Sequence, residues 1–507
     1  MKAITAASMR RTVPQRTKHD SLQLIRKASS SSAIAWPPAD PWNAIVEWRS
    51  GDREAHVRPG PLSQWRTTVK MNICTADMRT TCSSKMMSDW HAGYDATAVS
   101  RLRAAGADII GKTNCDEFGM GSCNIHTFHG PVRNPATPED QAARAAGGSS
   151  GGAAAAVKAG LCRLALASDT GGSVRLPAAY CGVYGFKPSY GLVSRWGLVP
   201  YADSLDTVGL LANNSDDLAL AFDVINTFDP QDPSTANPDL RKKAAQNEQS
   251  CVDKLINGTN LQGLKIGIPK QYFPKEVSKS AIDVICSASK DLKARGASIV
   301  SVDLPSTPRA LGAYYVLASA EASSNLAKYD GTHFGYRAIA LDANGDKLSD
   351  IDRREKTRSE GFGEEVKRRI LLGTYALTAD FFGNYFLAAQ RVREEIKHDF
   401  NNVFGIADVR TSRSGAQAGV DVLLHPAAVS AAPKLSDIQE AHAADGGISE
   451  YVQDVLTTPS SLAGLPSLCL PIGQDGDGMP IGVTITTQWG CDRLLWPLAR
   501  ALHGANQ

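Results

Sequence analysis

The sequence predicts an α/β protein in which helices cover one large, mostly buried sheet. Helical and strand-like patterns alternate along the chain, without an internal repeat. Hydrophobic residues make up 43% and charged residues 21%, the balance of a packed core under a solvated surface. The 507 residues exceed the ~250–300 at which a single core usually stops growing. That length has room for two or three ordinary domains or one unusually large one.

Pro37, Pro38 and Pro41 mark a linker behind the N-terminal tail. Within 92–113, Ala98, Val99, Leu102 and Ala105 recur at helical spacing, and 107–110 is a short apolar strand. Residues 151–160 predict an Ala-rich helix and 161–167 a strand. A helix over 281–296 leads into a strand over 297–302. Strands over 467–471 and 481–487 and a helix over 491–503 complete the pattern. Polar stretches at 228–250, 338–360 and 410–421 predict surface insertions. There is no run of ~18 apolar residues, so no membrane-spanning helix is predicted.

Charge is uneven. Residues 1–35 hold seven basic residues (Lys2, Arg10, Arg11, Arg16, Lys18, Arg26, Lys27) against Asp20, and Ser29 to Ser32 are an unbroken serine run. An Arg-rich, Ser-rich, acid-poor start reads as a mitochondrial transit segment; a secretory signal needs an apolar centre. A plain basic tail is the alternative. Of the chain's 54 basic and 52 acidic residues, 47 and 51 remain beyond this segment, a net charge of −4. Such a body does not grip nucleic acid by charge alone. The ten cysteines are scattered without a Cys-x-x-Cys pair, and the ten histidines lack metal-ligand spacing, so neither a disulfide framework nor a metal site is predicted.

Three glycine-rich stretches invite functional readings. Gly106 to Thr113 fits the phosphate-loop pattern, but a helix precedes Gly106, and Ile109 and Ile110 place a strand inside the supposed loop. Gly147-Gly148-Ser149-Ser150-Gly151 fits the nucleophile elbow, which requires a strand before it; 138–146 is polar and Ala-rich instead. The third reading takes Gly147 to Pro177 as a whole: GGSSGG, a small-residue helix, a strand, then SDTGGSVRLP. One helix–strand unit carries a Gly/Ser loop at each end and can bring the two together. Glycine neighbours allow close approach of substrate to each serine.

GGSSGG followed by DTGGSVRLPA, with Val69-Lys70-Met71-Asn72 upstream and Gly182 to Pro188 downstream, resembles the amidase signature family over roughly residues 40–505. More narrowly, TVKMNICT, GKTNCDEFGMGS, SAEASSNLAKYDG, SEGFGEEVKRRILLGTYAL and DVLTTPSSLAGLP resemble the A-subunit branch, the glutamyl-tRNA(Gln) amidotransferases. The resemblance implies one large α/β domain over 36–507, a central mixed β-sheet covered by α-helices on both faces. It implies Lys70 as base, Ser149 on a cis peptide as proton relay, and Ser173 as nucleophile. Thr170, Gly171 and Gly172 then offer backbone N–H groups to the oxyanion. Lysine serves as a base only when neutral, so burial must pull its pKa below the usual ~10.4.

For glutamine, the resemblance implies Arg369 for the α-carboxylate, Asp454 for the α-ammonium and Tyr314 beside them, with Arg368 and Tyr315 as adjacent alternatives. It implies no cofactor in this chain. ATP and Mg²⁺ are used by a partner, the amidotransferase B subunit, which handles Glu-tRNA(Gln), and a small third subunit of C or F type completes a complex of the mitochondrial matrix. One position departs from the pattern: Met71 stands where the family usually has aspartate. Two rival readings stay open: a free-standing amidase for small or fatty amides and, suggested by Met71, a non-catalytic scaffold of the complex.

Overall fold

A computed structural model describes residues 37–50, 58–255, 261–341, 344–411 and 414–503. The chain divides after Ala39 into two compact units. Only residues 37–39 of the first are described, so the predicted transit segment 1–35 lies outside the described residues.

In the second unit, eleven described strands form one sheet. They are β1 (Ile45–Trp48), β2 (Arg66–Lys70), β3 (Asp108–Thr113), β4 (Leu164–Asp169), β5 (Tyr184–Lys187) and β6 (Thr207–Ala212). The rest are β7 (Lys265–Pro269), β8 (Ser298–Val302), β9 (Val422–Pro426), β10 (Ser467–Gln474) and β11 (Pro480–Thr487). Their order is β1-β3-β2-β4-β6-β5-β10-β11-β9-β7-β8. The sheet is mixed: β3-β2-β4 and β9-β7-β8 run parallel, and the other neighbours pair antiparallel. Every residue of β3, β4, β6, β9 and β11 is buried, as expected of strands covered on both faces.

The helices are α1 (Thr97–Ala104), α2 (Gly151–Lys158), α3 (Arg175–Cys181), α4 (Ser215–Ile225), α5 (Pro238–Leu255), α6 (Lys279–Ala294) and α7 (Ala310–Asn325). Then come α8 (Asp350–Gly361), α9 (Glu364–Ala376), α10 (Phe386–Val403), α11 (Leu435–Asp445), α12 (Thr458–Ala463) and α13 (Leu495–His503). Local chemistry starts several of them. Asn214 caps α4 by accepting from the Asp217 N–H at 2.7 Å, and Ser349 caps α8 through Asp352 N. Helix α2 is buried from Gly151 to Val157, which is why its residues are small. Gly373 on α9 brings two backbones together: a Cβ there would stand 1.9 Å from the Ser319 carbonyl oxygen of α7.

The predicted elements fall near their observed positions, with two instructive differences. The strand predicted over 161–167 begins at Leu164. Gly160, at φ +70°, ends α2, and the Leu161 N–H turns back to the Ala156 carbonyl, so sheet pairing starts three residues later. The stretches predicted as surface insertions at 228–250 and 338–360 carry helices α5 and α8, which bury Ala244 and Thr357 among largely polar neighbours. In 410–421, Val420 bridges to Phe404. The supposed phosphate loop is strand β3 itself, and Lys112 is fully buried, donating to the Ile73 carbonyl and to Thr80 Oγ1 at 3.1 Å. The nine cysteines whose side chains are described are all free thiols.

Candidate active site

The parallel strands β2, β3 and β4 end on the same side of the sheet, with Lys70 opposite Thr113 and Val69 opposite Leu166. Loops leaving such carboxyl ends form the natural crevice of an α/β sheet. Here they deliver the predicted residues to one place. Lys70, the last residue of β2, is fully buried, and its Nζ lies 2.8 Å from Ser149 Oγ and 3.0 Å from Ser168 Oγ. The Gly148–Ser149 peptide is cis. The two Gly/Ser loops meet where Ser150 N–H donates to the Ser173 carbonyl at 3.1 Å. Ser149 is fully buried, whereas Ser173 keeps 8% exposure, and its Oγ has no hydrogen bond among the described residues.

Burial pulls the Lys70 pKa down; the nearby Cys115, Asp116, Asp169 and Asp206 pull it back up. Met71 is fully buried and is held only through its backbone, by the Thr113 carbonyl and the Cys82 N–H. The carboxylates that act on Lys70 thus come from other segments. Asp116 is the nearest anchor of the serine loop: its N–H donates to the Ser149 carbonyl, and its carboxylate accepts from Asn124 N and His126 N, each at 3.0 Å. Burial pushes its carboxyl up to about 7.

The loop from Thr170 to Ser173 is fixed from both ends. Thr170 Oγ1 donates to Asp206 at 2.8 Å. Asp169 and Arg175 form a fully buried, two-pronged ion pair at 2.8 and 3.0 Å. Arg175 also donates to the Thr457 carbonyl, Ser460 and Ser461, which pins the loop to α12. The N–H groups of Gly171, Gly172 and Ser173 have no partner among the described residues, leaving them available to an anion. A Cβ on Gly171 would strike the Tyr314 hydroxyl at 2.5 Å, so only glycine lets the loop lie against that ring.

Beyond Tyr314 the second cluster begins. Tyr314 and Tyr315 sit on α7 with ring centroids 5.1 Å apart. Tyr315 donates to Asp454 at 2.7 Å, and Ser122 Oγ donates to the same oxygen at 2.9 Å. Arg369 is buried on α9, with its guanidinium 5.1 Å from the Tyr315 ring centre. Its Nε reaches Glu365 at 2.7 Å and its Nη1 reaches the Tyr201 hydroxyl at 2.8 Å, while Nη2 has no hydrogen bond among the described residues. Arg368 is more exposed and pairs with the other Glu365 oxygen at 2.6 Å. Burial pushes Asp454 up to about 6, against the hydrogen bonds from Tyr315 and Ser122. One cationic and one anionic side chain are therefore both buried against Tyr315.

Several residues of this centre are not singled out by the sequence. Ser168 holds Lys70 and also accepts from Asn72 Nδ2 at 3.0 Å; its only signal is a hydroxyl where the apolar run of β4 gives way to Asp169. Glu365 is detectable as a partner four residues before Arg369 on one helix face. Tyr201 and Ser122 reach the site through loops and leave no periodic mark.

With this geometry in place, similarity to known proteins narrows the chemistry. The family described as Amidase matches residues 43–495. The A subunit of the mitochondrial glutamyl-tRNA(Gln) amidotransferase of Mycosarcoma maydis is 46% identical, covering 98% of this chain and 96% of that one. Its counterpart from Emericella nidulans is 43% identical over 90% of this chain and 93% of its own length. Among solved structures, the A subunit of glutamyl-tRNA(Gln) amidotransferase from Thermotoga maritima superposes with a TM-score of 0.69 at 33% identity, covering 90% of this chain and 87% of that one.

Proposed function

The chain belongs to the amidase family, and from that premise we propose that it is the glutamine-hydrolysing A subunit of a mitochondrial glutamyl-tRNA(Gln) amidotransferase. The observation that carries the reading is the buried Lys70–Ser149 contact beside a serine loop with unused N–H groups. Neutral Lys70 accepts a proton from Ser149 as Ser149 takes one from Ser173. Ser173 Oγ then bonds to the side-chain carbonyl carbon of glutamine, and the resulting oxyanion is met by the N–H groups of the Thr170–Ser173 loop, including Gly171 and Gly172. The carbon–nitrogen bond breaks as the relayed proton passes to the leaving group, releasing ammonia and an acyl-enzyme. Water, deprotonated by the same relay, frees glutamate and restores Ser173. Full burial suits Ser149 to relaying protons, and its exposure suits Ser173 to attack.

Glutamine is held by its charges: Arg369 through Nη2 for the α-carboxylate, Asp454 for the α-ammonium, Tyr314 as a wall. An amidase for uncharged amides has no use for such a buried pair. The serine–lysine chemistry needs no cofactor in this chain. Ammonia passes to the B subunit, which uses ATP and Mg²⁺ to convert Glu-tRNA(Gln) to Gln-tRNA(Gln), and a small third subunit completes the assembly. The test is to incubate the chain, purified with its partners, with a glutamine-site electrophile and to locate the adduct by peptide mass spectrometry. Attachment at Ser173 is expected; attachment at Ser149 would reverse the two serine roles.

The mitochondrial relatives and the basic, serine-rich start support a matrix location, with 1–35 as the transit segment and 36–507 as the amidase domain. No helix among the described residues is long and apolar enough to cross a membrane. Residues 1–35 fused to a fluorescent protein should carry it into mitochondria; cytosolic fluorescence would remove the targeting role.

A further inference from the structure

His126, His442 and Glu450 come together outside the serine–lysine centre, the first distant in sequence from the other two, which lie eight residues apart. His126 lies in the loop after β3, His442 in the last turn of α11, and Glu450 in the 3₁₀ helix Ile448–Asp454. His126 Nε2 stands 2.9 Å from Glu450 Oε2, and the two imidazole ring centres are 5.4 Å apart. One donor atom from each of the three lies within 4.8 Å of the other two. His442 Nδ1 is buried and has no hydrogen-bond partner among the described residues. His442 thus brings to the cluster an imidazole with one ring nitrogen that no described residue uses.

A tetrahedral zinc ion, with imidazole nitrogen and carboxylate oxygen at ~2.0–2.2 Å, sets its donors about 3.4 Å apart. Drawing the three residues onto an ion therefore needs side-chain movements of about 1 Å. Two imidazoles and one carboxylate suit zinc and its late transition-metal neighbours, not magnesium or calcium, which take oxygen ligands. A cavity of about 190 Å³ bordered by Cys123, His442, Gly447 and Glu450 lies beside two of the three ligands; His126 approaches from outside it.

We propose that His126, His442 and Glu450 form a three-ligand Zn²⁺ site that clamps the 120–126 loop and α11 to the segment carrying Asp454. The clamp bears on the pocket because the Ser122 N–H donates to Glu450 Oε1 at 3.3 Å while Ser122 Oγ donates to Asp454. Glu450 and Asp454 also lie four residues apart in the same 3₁₀ helix. The ion would steady Asp454 from both sides and tighten glutamine binding. Only this last step rests on the proposed function.

The experiment uses full-length protein freed of metal, alone and with its partners in the complex. Zn²⁺ is titrated calorimetrically and counted by elemental mass spectrometry after desalting, and Co²⁺ serves as a coloured substitute. One equivalent per chain and a raised Tm are expected in the natural protein, with both lost in His442→Ala and in the shape-preserving Glu450→Gln. Cobalt should give ligand-field bands without a thiolate charge-transfer band. Absence of binding, an equivalent that survives His442→Ala, or a thiolate band would each overturn the site. Stoichiometric zinc with an unchanged KM for glutamine would leave the ion site standing and overturn its link to Asp454.

Discussion

Replacing Ser173 by alanine is expected to end glutamine-dependent amidation while ammonium salts still support it. The change removes the hydroxyl proposed to attack, and Ser149 cannot substitute because it is fully buried against Lys70. Losses of an activated nucleophile run on the order of 10⁴-fold or more in kcat. Packing should survive, since the loop is fixed through Asp169, Arg175 and Thr170 and not through the Ser173 hydroxyl. The measurement is Gln-tRNA(Gln) formation by the assembled complex with either nitrogen donor. Loss of ammonium-supported activity in an intact complex would sink the division of labour between this chain and its partner.

Arg369→Ala should raise the KM for glutamine while ammonium-driven amidation stays near normal. Removing one partner of a buried charge pair costs about 3–5 kcal/mol, a hundredfold or more in affinity. The fold should tolerate the change because Glu365 keeps Arg368 at 2.6 Å and the Tyr451 hydroxyl at 2.8 Å. Asp454→Asn should act similarly, and more on glutamine than on an analogue without the amino group. The same carboxylate sets a pH dependence. Asp454 binds an ammonium only when ionised, and burial holds its pKa up at about 6, so the KM should climb as pH falls through that value. A KM unmoved in both variants would remove the charged pocket and restore the free-standing amidase reading.

Much of this centre was legible because its chemistry is written in short, contiguous motifs. Lys70, Ser149 and Ser173 each sit at the end of a β-strand or beside a Gly/Ser loop, and a helix–strand unit of fixed length joins the two serines. Arg369 and Asp454 were legible only as members of longer motifs, and the pattern could not separate Arg369 from Arg368. Helix geometry separates them: residues one position apart point about 100° from each other, so Arg369 is buried while Arg368 reaches outward. Tyr314 and Tyr315 divide differently, one against Gly171 and the other on Asp454. Ser122, Tyr201 and the His126–His442 approach depend on long-range folding of loops, which leaves no periodicity to read. The helices inside the polar stretches were missed because α5 and α8 bury only a few residues each, too few to make an apolar stripe.

The contact at Gly373 governs how the pocket can move. Helices usually slide past one another by letting interlocked side chains change rotamer, a shear motion of small steps. At Gly373 there is no side chain to re-set, because the backbone of α9 rests on the Ser319 carbonyl of α7. Helices α7 and α9 are therefore coupled as a single plate, and Tyr314, Tyr315 and Arg369 travel together on it. The opposite wall, the 448–454 segment with Asp454, meets the plate through side chains: the Tyr315–Asp454 and Tyr451–Glu365 hydrogen bonds and the stacked rings of Tyr315 and Tyr451. On the proposed reading, the residue that grips the carboxylate of glutamine rides on backbone locked to backbone, and the residue that grips its ammonium is joined to that plate by side chains.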